Sequence, residues 1–182
     1  FSFVLKSPHS FLVEARKSQD LWIGSMIIAD LTFAAMQKIA EYYGPDVIIY
    51  PDLMGNPRAD LWLQDYLQNI PENYKKFLYK CTRAAVVPHT FVAILPRGHD
   101  NKDRGSYRSI KSIGDKVVQA VHERWRCYTS LVEEWMRQTA DINNSDKIWN
   151  KIWQHYQERC PLEPTWMAIP WLPCEKQHKY YF

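Results

Sequence analysis

The feature that most constrains this sequence is a long helical pattern that is apolar on two neighbouring faces. Between residues 10 and 43, apolar side chains recur at three- and four-residue steps in two adjacent stripes, Ile23, Ile27, Leu31 and Ala34 beside Ile28, Thr32, Ala35 and Ile39. Two adjacent stripes predict a helix that is buried over most of its circumference. Gly24-Ser25 is expected to break or kink this helix, and Gly44-Pro45 is expected to end it.

Short strand-like runs lie around this helix. They cover residues 1–6, 47–50, 90–95 and 166–169, and the second is continuous enough to predict a strand covered on both faces. A second amphipathic pattern runs from 110 to 135, and Ser145 is expected to cap a further helix. The order is β-α-β-β-α-β with an insertion at about 52–89. This order predicts a single α+β domain over 1–182, a ferredoxin-like (split βαβ) arrangement with helical insertions.

Composition and charge narrow the class of protein. The 182 residues are 46% hydrophobic with a net charge of +3, which excludes a disordered chain. No uninterrupted apolar run in the sequence approaches about 18 residues, so the pattern predicts no membrane span. The four cysteines never form C-x-x-C, which argues against a zinc knuckle and favours a reducing cytoplasmic location. The first residue is not Met, and we expect a fragment of a longer protein.

Several sequence blocks occur together in one order. Residues 7–25 contain Phe-Leu, Ala-Arg-Lys, Asp-Leu-Trp and Gly-Ser, and Gly-Pro-Asp follows at 44–46. Pro-Asp-Leu-Met-Gly-Asn-Pro lies at 51–57, Phe-x-Ala-x-x-Pro at 91–96 and Trp-x-x-x-Pro-Trp at 166–171. This series resembles the first palm domain of the large, polymerase-like subunit of type III-B, or Cmr-type, CRISPR effector complexes. His9 stands where that family usually has Gln, and Ser7 where it has Gly.

The resemblance implies a function and a set of partners. The first palm pairs with a second palm of the same protein to bind ATP as substrate and make cyclic oligoadenylates in antiviral defence once target RNA is bound. Other Cmr subunits are expected as partners, and guide and target RNA are expected to be contacted indirectly. No membrane partner is expected. The family's Gly-Gly-Asp-Asp motif and HD nuclease domain are absent from these 182 residues. Mg²⁺ or Mn²⁺ is therefore expected on the second palm.

The acidic residues agree with a palm that is inactive alone. Residues 1–6 contain no Asp or Glu, and Asp46 and Asp52 only flank the second strand. Two-metal nucleotidyl transfer needs carboxylates on neighbouring strands, so we expect no catalytic residue and no metal ligand here. The alternative is a structural scaffold palm that contacts neighbouring subunits and RNA through residues 97–126. This stretch contains eight basic and four acidic side chains. The preferred interpretation of that stretch is nevertheless a solvated loop and helix face rather than a contact with phosphates.

The expected nucleotide-binding residues lie where the first strand turns into the long helix. They are Ser7, His9, Ser10, Phe11, Arg16, Lys17, Gly24 and Ser25. A helix N-terminus offers free N–H groups to a phosphate, and Arg16 and Lys17 add positive charge. Ser10 could instead merely cap the helix. Ser25 lies about 20 Å from Ser10 along a straight helix, so it shares the site only if the helix breaks near Gly24.

Two other groups of residues are assigned to structure. Asp115, His122, Glu123 and Cys127 lie on several faces of one helical pattern, so they are expected at the surface and in packing. Four tryptophans lie on apolar stripes and are expected in the core: Trp125, Trp135, Trp149 and Trp153. Trp22, inside the first motif, is left open between core and a stacking role.

Overall fold

A computed structural model describes residues 1–64, 71–81, 84, 86–96, 109–140 and 147–170. The fold is α+β, with a four-stranded sheet in the order β2-β3-β1-β4 and antiparallel neighbours throughout. The strands are β1 (Ser2–Lys6), β2 (Ile48–Tyr50), β3 (Thr90–Ala93) and β4 (Glu163–Met167). The helices are α1 (Pro8–Val13), α2 (Ser18–Tyr43), α3 (Pro57–Leu63), α4 (Glu72–Cys81), α5 (Ile110–Ala140) and α6 (Lys147–Glu158), and a 3₁₀ turn covers Pro45–Val47.

The sheet buries one face through alternate residues of its central strands. Phe3 lies opposite both Phe91 of β3 and Trp166 of β4. The Phe3 and Phe91 rings are 5.0 Å apart, and both side chains are fully buried with Leu5. Successive strand residues point to opposite faces of the sheet. The side chains of Phe3, Leu5 and Phe91 therefore all point to the face that the helices cover.

Helix α2 forms the centre of the core, as its two apolar stripes predict. Every residue from 28 to 36 is buried, and α5 packs along α2. By length and composition alone α2 could cross a membrane, although the sequence pattern predicts no span. In this fold 67% of its most apolar 18-residue window is buried inside the protein. Because α2 is buried, its apolar composition is that expected of a core helix.

The helical pattern over 10–43 is broken, but the predicted position of the break, Gly24-Ser25, is wrong. The chain forms two helices, and the break lies at residues 14–17 rather than at Gly24. Gly24 is inside α2 at its contact with α1, where an added Cβ would lie 2.8 Å from Leu12 Cδ2. The glycine therefore permits a close helix contact and does not interrupt the helix.

The two outer strands differ from their predictions. Ile49 and Tyr50 are half exposed, so β2 is not covered on both faces as predicted. Among the described strands it pairs with β3 alone and lies at the edge of the sheet. Strand β4 begins at Glu163, three residues before the predicted start, and includes Pro164. An edge strand tolerates a proline because one side of the strand needs no N–H donor.

Helices α3 and α4 occupy the predicted insertion between β2 and β3, and α5 covers the predicted second helix. Ser145 and residues 97–108 of the basic stretch lie outside the described residues.

Candidate functional site

The predicted site begins at a left-handed residue between β1 and α1. Ser7 has φ 63°, and Pro8 opens a helix of only six residues. The hydroxyl of Ser10 donates to the carbonyl oxygen of Ser7 at 2.9 Å. Ser10 therefore lies inside α1 and does not cap it, so the interpretation of Ser10 as a helix cap is wrong. So short a helix, with a proline that lacks an N–H at its start, offers few donors to a phosphate.

Arg16 and Lys17 lie in the break between α1 and α2. Their backbone N–H groups donate to the carboxylate Oδ2 of Asp20, at 3.2 and 3.0 Å. Asp20 thus places a negative charge at the positive end of α2, where carboxylates are stabilising. The sequence argument placed a phosphate at a helix start and overlooked that Asp20 already supplies a negative charge there. An acidic residue at the third position of a helix is the sequence signal for such a capping contact. The Arg16 and Lys17 side chains themselves are exposed.

The break folds α1 back onto α2 and creates an open cleft of about 430 Å³, the corner cleft. It is lined by Phe11, Leu12, Glu14, Ala15, Arg16, Asp20, Ile23, Gly24 and Ile27. The volume falls in the range of small-molecule sites. The wall is largely apolar, and its charged members are one guanidinium and two carboxylates. Such a surface suits an apolar ring better than a triphosphate.

The corner cleft brings together only some of the predicted residues. Phe11, Arg16 and Gly24 line it. Ser7, His9, Ser10, Lys17 and Ser25 do not, and the Ser25 hydroxyl donates to the carbonyl oxygen of Leu21 at 2.9 Å. Gly24 lies close to α1 because the chain turns back at residues 14–17. The sequence analysis had instead expected a break at Gly24 itself.

A second polar group, which the sequence analysis missed, lies at the centre of the helical layer. The Asp30 carboxylate of α2 accepts from Arg58 of α3, from Arg124 Nη1 of α5 at 3.1 Å and from the Tyr128 hydroxyl of α5 at 2.6 Å. We call these four residues the Asp30 cluster. The side chain of Asp30 is only 8% exposed. The available sequence signal was a carboxylate, Asp30, in the middle of a helix that the apolar stripes predict to be buried. A buried charge requires partners.

The electrostatics of the Asp30 cluster favour a fixed structural tie. Burial, and then the hydrogen bond to Asp30, raises the pKa of Tyr128 well above its ordinary value. The phenol therefore stays protonated and keeps donating. Two guanidinium groups share one carboxylate, so the cluster carries one net positive charge beside α3 and α5.

The residues that resemble a catalytic cluster on α5 do not converge. Glu123 accepts from the side chain of Gln119, and burial with the nearby Arg126 charge lowers the pKa of His122. Within the ranges that the structure describes, no group of three or more His, Cys, Asp or Glu side chains could hold a metal ion.

A larger cavity of about 730 Å³ lies at the ends of β1, β3 and β4, and sequence reasoning missed it. Its lining includes Ile94, Trp166, Met167 and Ile169. The described side chains that line it include none that is charged, so it offers mainly packing surface, with the Ser2 hydroxyl as a polar group.

Comparisons with known proteins agree with the sequence motifs. Residues 3–130 match the family described as CRISPR-associated protein Cmr2, N-terminal. The CRISPR system CMR subunit Cmr2 of Saccharolobus solfataricus is 23% identical over 162 residues, covering 78% of this chain and 15% of that protein. The Cmr subunit Cmr2 of Pyrococcus furiosus is 36% identical over 47 residues, covering 26% of this chain and 5% of that protein.

A solved structure has a similar fold. One chain in the cryo-EM structure of the Type III-B Cmr-beta bound to cognate target RNA matches with a TM-score of 0.65 and 20% identity. The match covers 90% of this chain and 18% of that chain, so these residues span less than a fifth of the length of such relatives. The predicted family is confirmed. With the family match extending over most of its length, the chain belongs to the Cmr2 family and corresponds to its N-terminal region.

Proposed function

We propose that this chain is a non-catalytic palm of the large subunit of a type III-B CRISPR effector complex. It forms one wall of an ATP pocket used for cyclic oligoadenylate synthesis in antiviral defence. The observation that carries the proposal is the fold of residues 7–25, which turn back on themselves and place Arg16 beside Phe11 and Gly24 in the corner cleft.

The palm assignment is supported by the strand order. Strand β1 lies between β3 and β4, and β3 lies between β1 and β2. Each strand-helix-strand unit is thus split by a strand of the other unit, as in the ferredoxin-like arrangement. Two long helices, α2 and α5, pack on the buried face of the sheet.

The chemistry of the corner cleft fits part of an ATP site. Phe11, Ile23 and Ile27 provide an apolar wall for the purine, and the exposed Arg16 side chain can approach a phosphate oxygen. Glu14 and Asp20 repel phosphate, so this wall cannot hold a triphosphate unaided. We therefore place the remaining phosphate contacts, and Mg²⁺ or Mn²⁺, on a second palm of the same protein.

The expected partners follow from the same proposal. They are the second palm, other Cmr subunits and, indirectly, guide and target RNA, in the cytoplasm. The matched Cmr-beta structure is bound to target RNA, which supports this set of partners. The burial of α2 in the core supports the expectation of no membrane partner.

The second candidate is a scaffold palm that contacts subunits and RNA through the basic stretch. In its described part, residues 109–126, two of the four basic side chains already have partners inside the chain. Lys116 Nζ lies 3.3 Å from the Tyr42 hydroxyl, and Arg124 binds Asp30. The Asp30 carboxylate offsets part of the charge of Arg124, which favours the pocket-wall function, whereas the Tyr42 hydroxyl leaves the charge of Lys116 unchanged.

The test is ATP binding by the complete protein with Arg16→Ala. The turn at Arg16 is held through its backbone N–H, so this substitution should leave the fold intact. We expect a loss of about 1.5–3 kcal/mol in binding free energy, which is roughly 10- to 150-fold in affinity.

Arg126→Ala is the matched control, since Arg126 is also exposed and lies on α5. It should change ATP affinity less than about twofold. An Arg16→Ala protein that is folded and binds ATP within twofold of wild type would contradict the pocket assignment. If Arg126→Ala reduced subunit assembly while Arg16→Ala left ATP affinity unchanged, the scaffold function would be favoured.

A further inference from the structure

The hairpin of α5 and α6 carries an exposed apolar surface. Its six residues are Leu131, Val132 and Trp135 of α5 and Ile148, Ile152 and Tyr156 of α6, and each is between 44% and 73% exposed. We call this set the hairpin surface. The prediction that Trp135 lies in the core is wrong, because it is 60% exposed. None of the twelve residues of α6, all of them described, is fully buried.

The two helices are held side by side by polar contacts. Trp125 Nε1 donates to the Tyr156 carbonyl oxygen at 2.8 Å, and Gln157 Nε2 donates to Glu133 Oε2 at 2.9 Å. Farther along, Arg137 Nη2 donates to Asn150 Oδ1 at 2.7 Å. These pairs fix which face of each helix meets the other.

The apolar stripes lie beside those contacts rather than under them. Helical residues are about 100° apart, so Val132 and Trp135 lie roughly a quarter to a half turn from the face of α5 that carries Glu133 and Arg137. Ile152 and Tyr156 are similarly displaced on α6 from Gln157. In an antiparallel pair both displacements lead to the same side, so the two stripes form one surface across the hairpin.

The size of the hairpin surface calls for a covering partner. Six large apolar side chains that are about half exposed present on the order of several hundred Å², which is the upper end of what monomeric proteins leave in contact with water. The outer edge carries the exposed Lys151 and His155 of α6 and the exposed Arg159 just after the helix, with one exposed carboxylate, Glu158, beside them. An apolar surface with a basic edge is complementary to an apolar patch with acidic residues beside it.

We propose that the hairpin surface is the docking surface for a further domain of the same polypeptide, one that presents an apolar patch with an acidic rim. This rests on the proposal that the chain is one part of a longer protein, since it spans 18% of the matched chain. A tethered domain is at high effective concentration, so it covers such a surface in preference to a separate partner.

The test is side-chain footprinting with hydroxyl radicals on the complete polypeptide. In wild type, Trp135 and Tyr156 should be protected, and Ile152→Asp should raise their modification rates at least fivefold by placing a charge in the interface. Tyr50 is exposed to a similar extent, 50% against 54% for Tyr156, so its rate serves as an internal reference and should not change. Met54→Asp, at a position that is 89% exposed, is the matched control and should leave all rates unchanged.

A milder variant guards against misfolding. Lys151→Glu should raise the Tyr156 rate two- to threefold at low salt and much less at high salt, because exposed charges are screened. Unchanged rates at Trp135 and Tyr156 in the Ile152→Asp protein would overturn the proposal. So would protection that appears only in a dimer, or only after other subunits or RNA are added. ATP affinity is measured separately, so failure here is distinct from failure of the pocket assignment.

Discussion

A single carboxylate connects three helices of this protein. Asp30 of α2 accepts hydrogen bonds from α3 through Arg58 and from α5 through Arg124 and Tyr128. The Arg58 side chain is 13% exposed, so removal of the carboxylate would leave a guanidinium with little access to water. Breaking such a buried pair is more costly than never having formed it.

Asp30→Asn should therefore destabilise the fold strongly. We expect the free energy of unfolding to fall by about 3–5 kcal/mol, the range for a buried charge that loses its partner. Denaturant unfolding measures this. Asp46→Asn is the control, because Asp46 is exposed and should change stability by less than about 0.5 kcal/mol. A loss below 1 kcal/mol for Asp30→Asn would show that the Asp30 cluster contributes little.

Tyr128 gives the Asp30 cluster a dependence on alkaline pH. Its folded-state pKa is raised above the ordinary value of 10.0, so the folded protein holds a proton that the unfolded chain releases. Its contribution to stability is complete below pH 10 and declines as the pH rises beyond it. Tyr128→Phe should lose about 1.5–3 kcal/mol at neutral pH and show a shallower decline above pH 10.

Ultraviolet titration of tyrosinate provides the independent measurement for Tyr128. The protein has 11 tyrosines, and the wild-type minus Tyr128→Phe difference should contain one group that ionises well above pH 10. Ionisation of that group near pH 10 in the folded protein would contradict its burial against Asp30.

Two helical glycines show how elements approach one another. Gly114 of α5 lies against the indole of Trp166 in β4, and an added Cβ would overlap that ring. Gly24 of α2 faces Leu12 of α1, whose flexible end can move aside. A substitution by alanine is therefore expected to be costly at Gly114 and tolerated at Gly24.

Gly114→Ala should destabilise the fold by about 1–3 kcal/mol, because overpacking against a rigid ring outweighs the gain in helix propensity. Gly24→Ala is the matched control and should remain within about 1 kcal/mol of wild type. Thermal and denaturant unfolding measure both. If Trp166→Phe fails to restore any stability to the Gly114→Ala protein, the indole is not the cause.

The helices and strands were predictable to the extent that they follow local periodicity. The stripes of α2 indicated its burial correctly, because a helix that is apolar on two faces must be surrounded. The break at 14–17 was not predictable from periodicity, since Asp20 stabilises the start of a new helix through hydrogen bonds. Asp30, Arg58 and Arg124 are distant in sequence, and only the tertiary fold brings them together.

The candidate site divides in the same way. Motif order indicated the segment that forms the corner cleft, and Phe11, Arg16 and Gly24 lie there. The edge positions of β2 and β4 depend on strand order, which no single run of residues encodes. That is why Ile49 and Tyr50 are exposed although their run of apolar residues suggested burial.

For the molecule as a whole, we expect the isolated 182-residue chain to turn over no ATP. Strand β1 contains no acidic residue, and β2 is flanked by Asp46 and Asp52 without a carboxylate on any of its own three residues. Two-metal nucleotidyl transfer needs such carboxylates together. Incubation with ATP and Mg²⁺ or Mn²⁺, followed by assay of oligoadenylate and pyrophosphate, checks this. Product above a heat-killed control that disappears in Asp52→Ala would refute it.

The long buried stretch of α2 also has a consequence for synthesis on the ribosome. Asp30 and Arg124 are 94 residues apart in sequence, so α2 is complete well before α5 exists to cover it. At roughly 5–20 residues per second, this apolar helix waits on the order of five to twenty seconds for its main partner. During that interval it has the length and composition of a membrane-inserting segment. Substitutions that weaken the packing of α5 on α2 should therefore first reduce the yield of newly made protein, through capture by chaperones or misdirection to a membrane. Only larger effects should alter the function of the molecules that do fold.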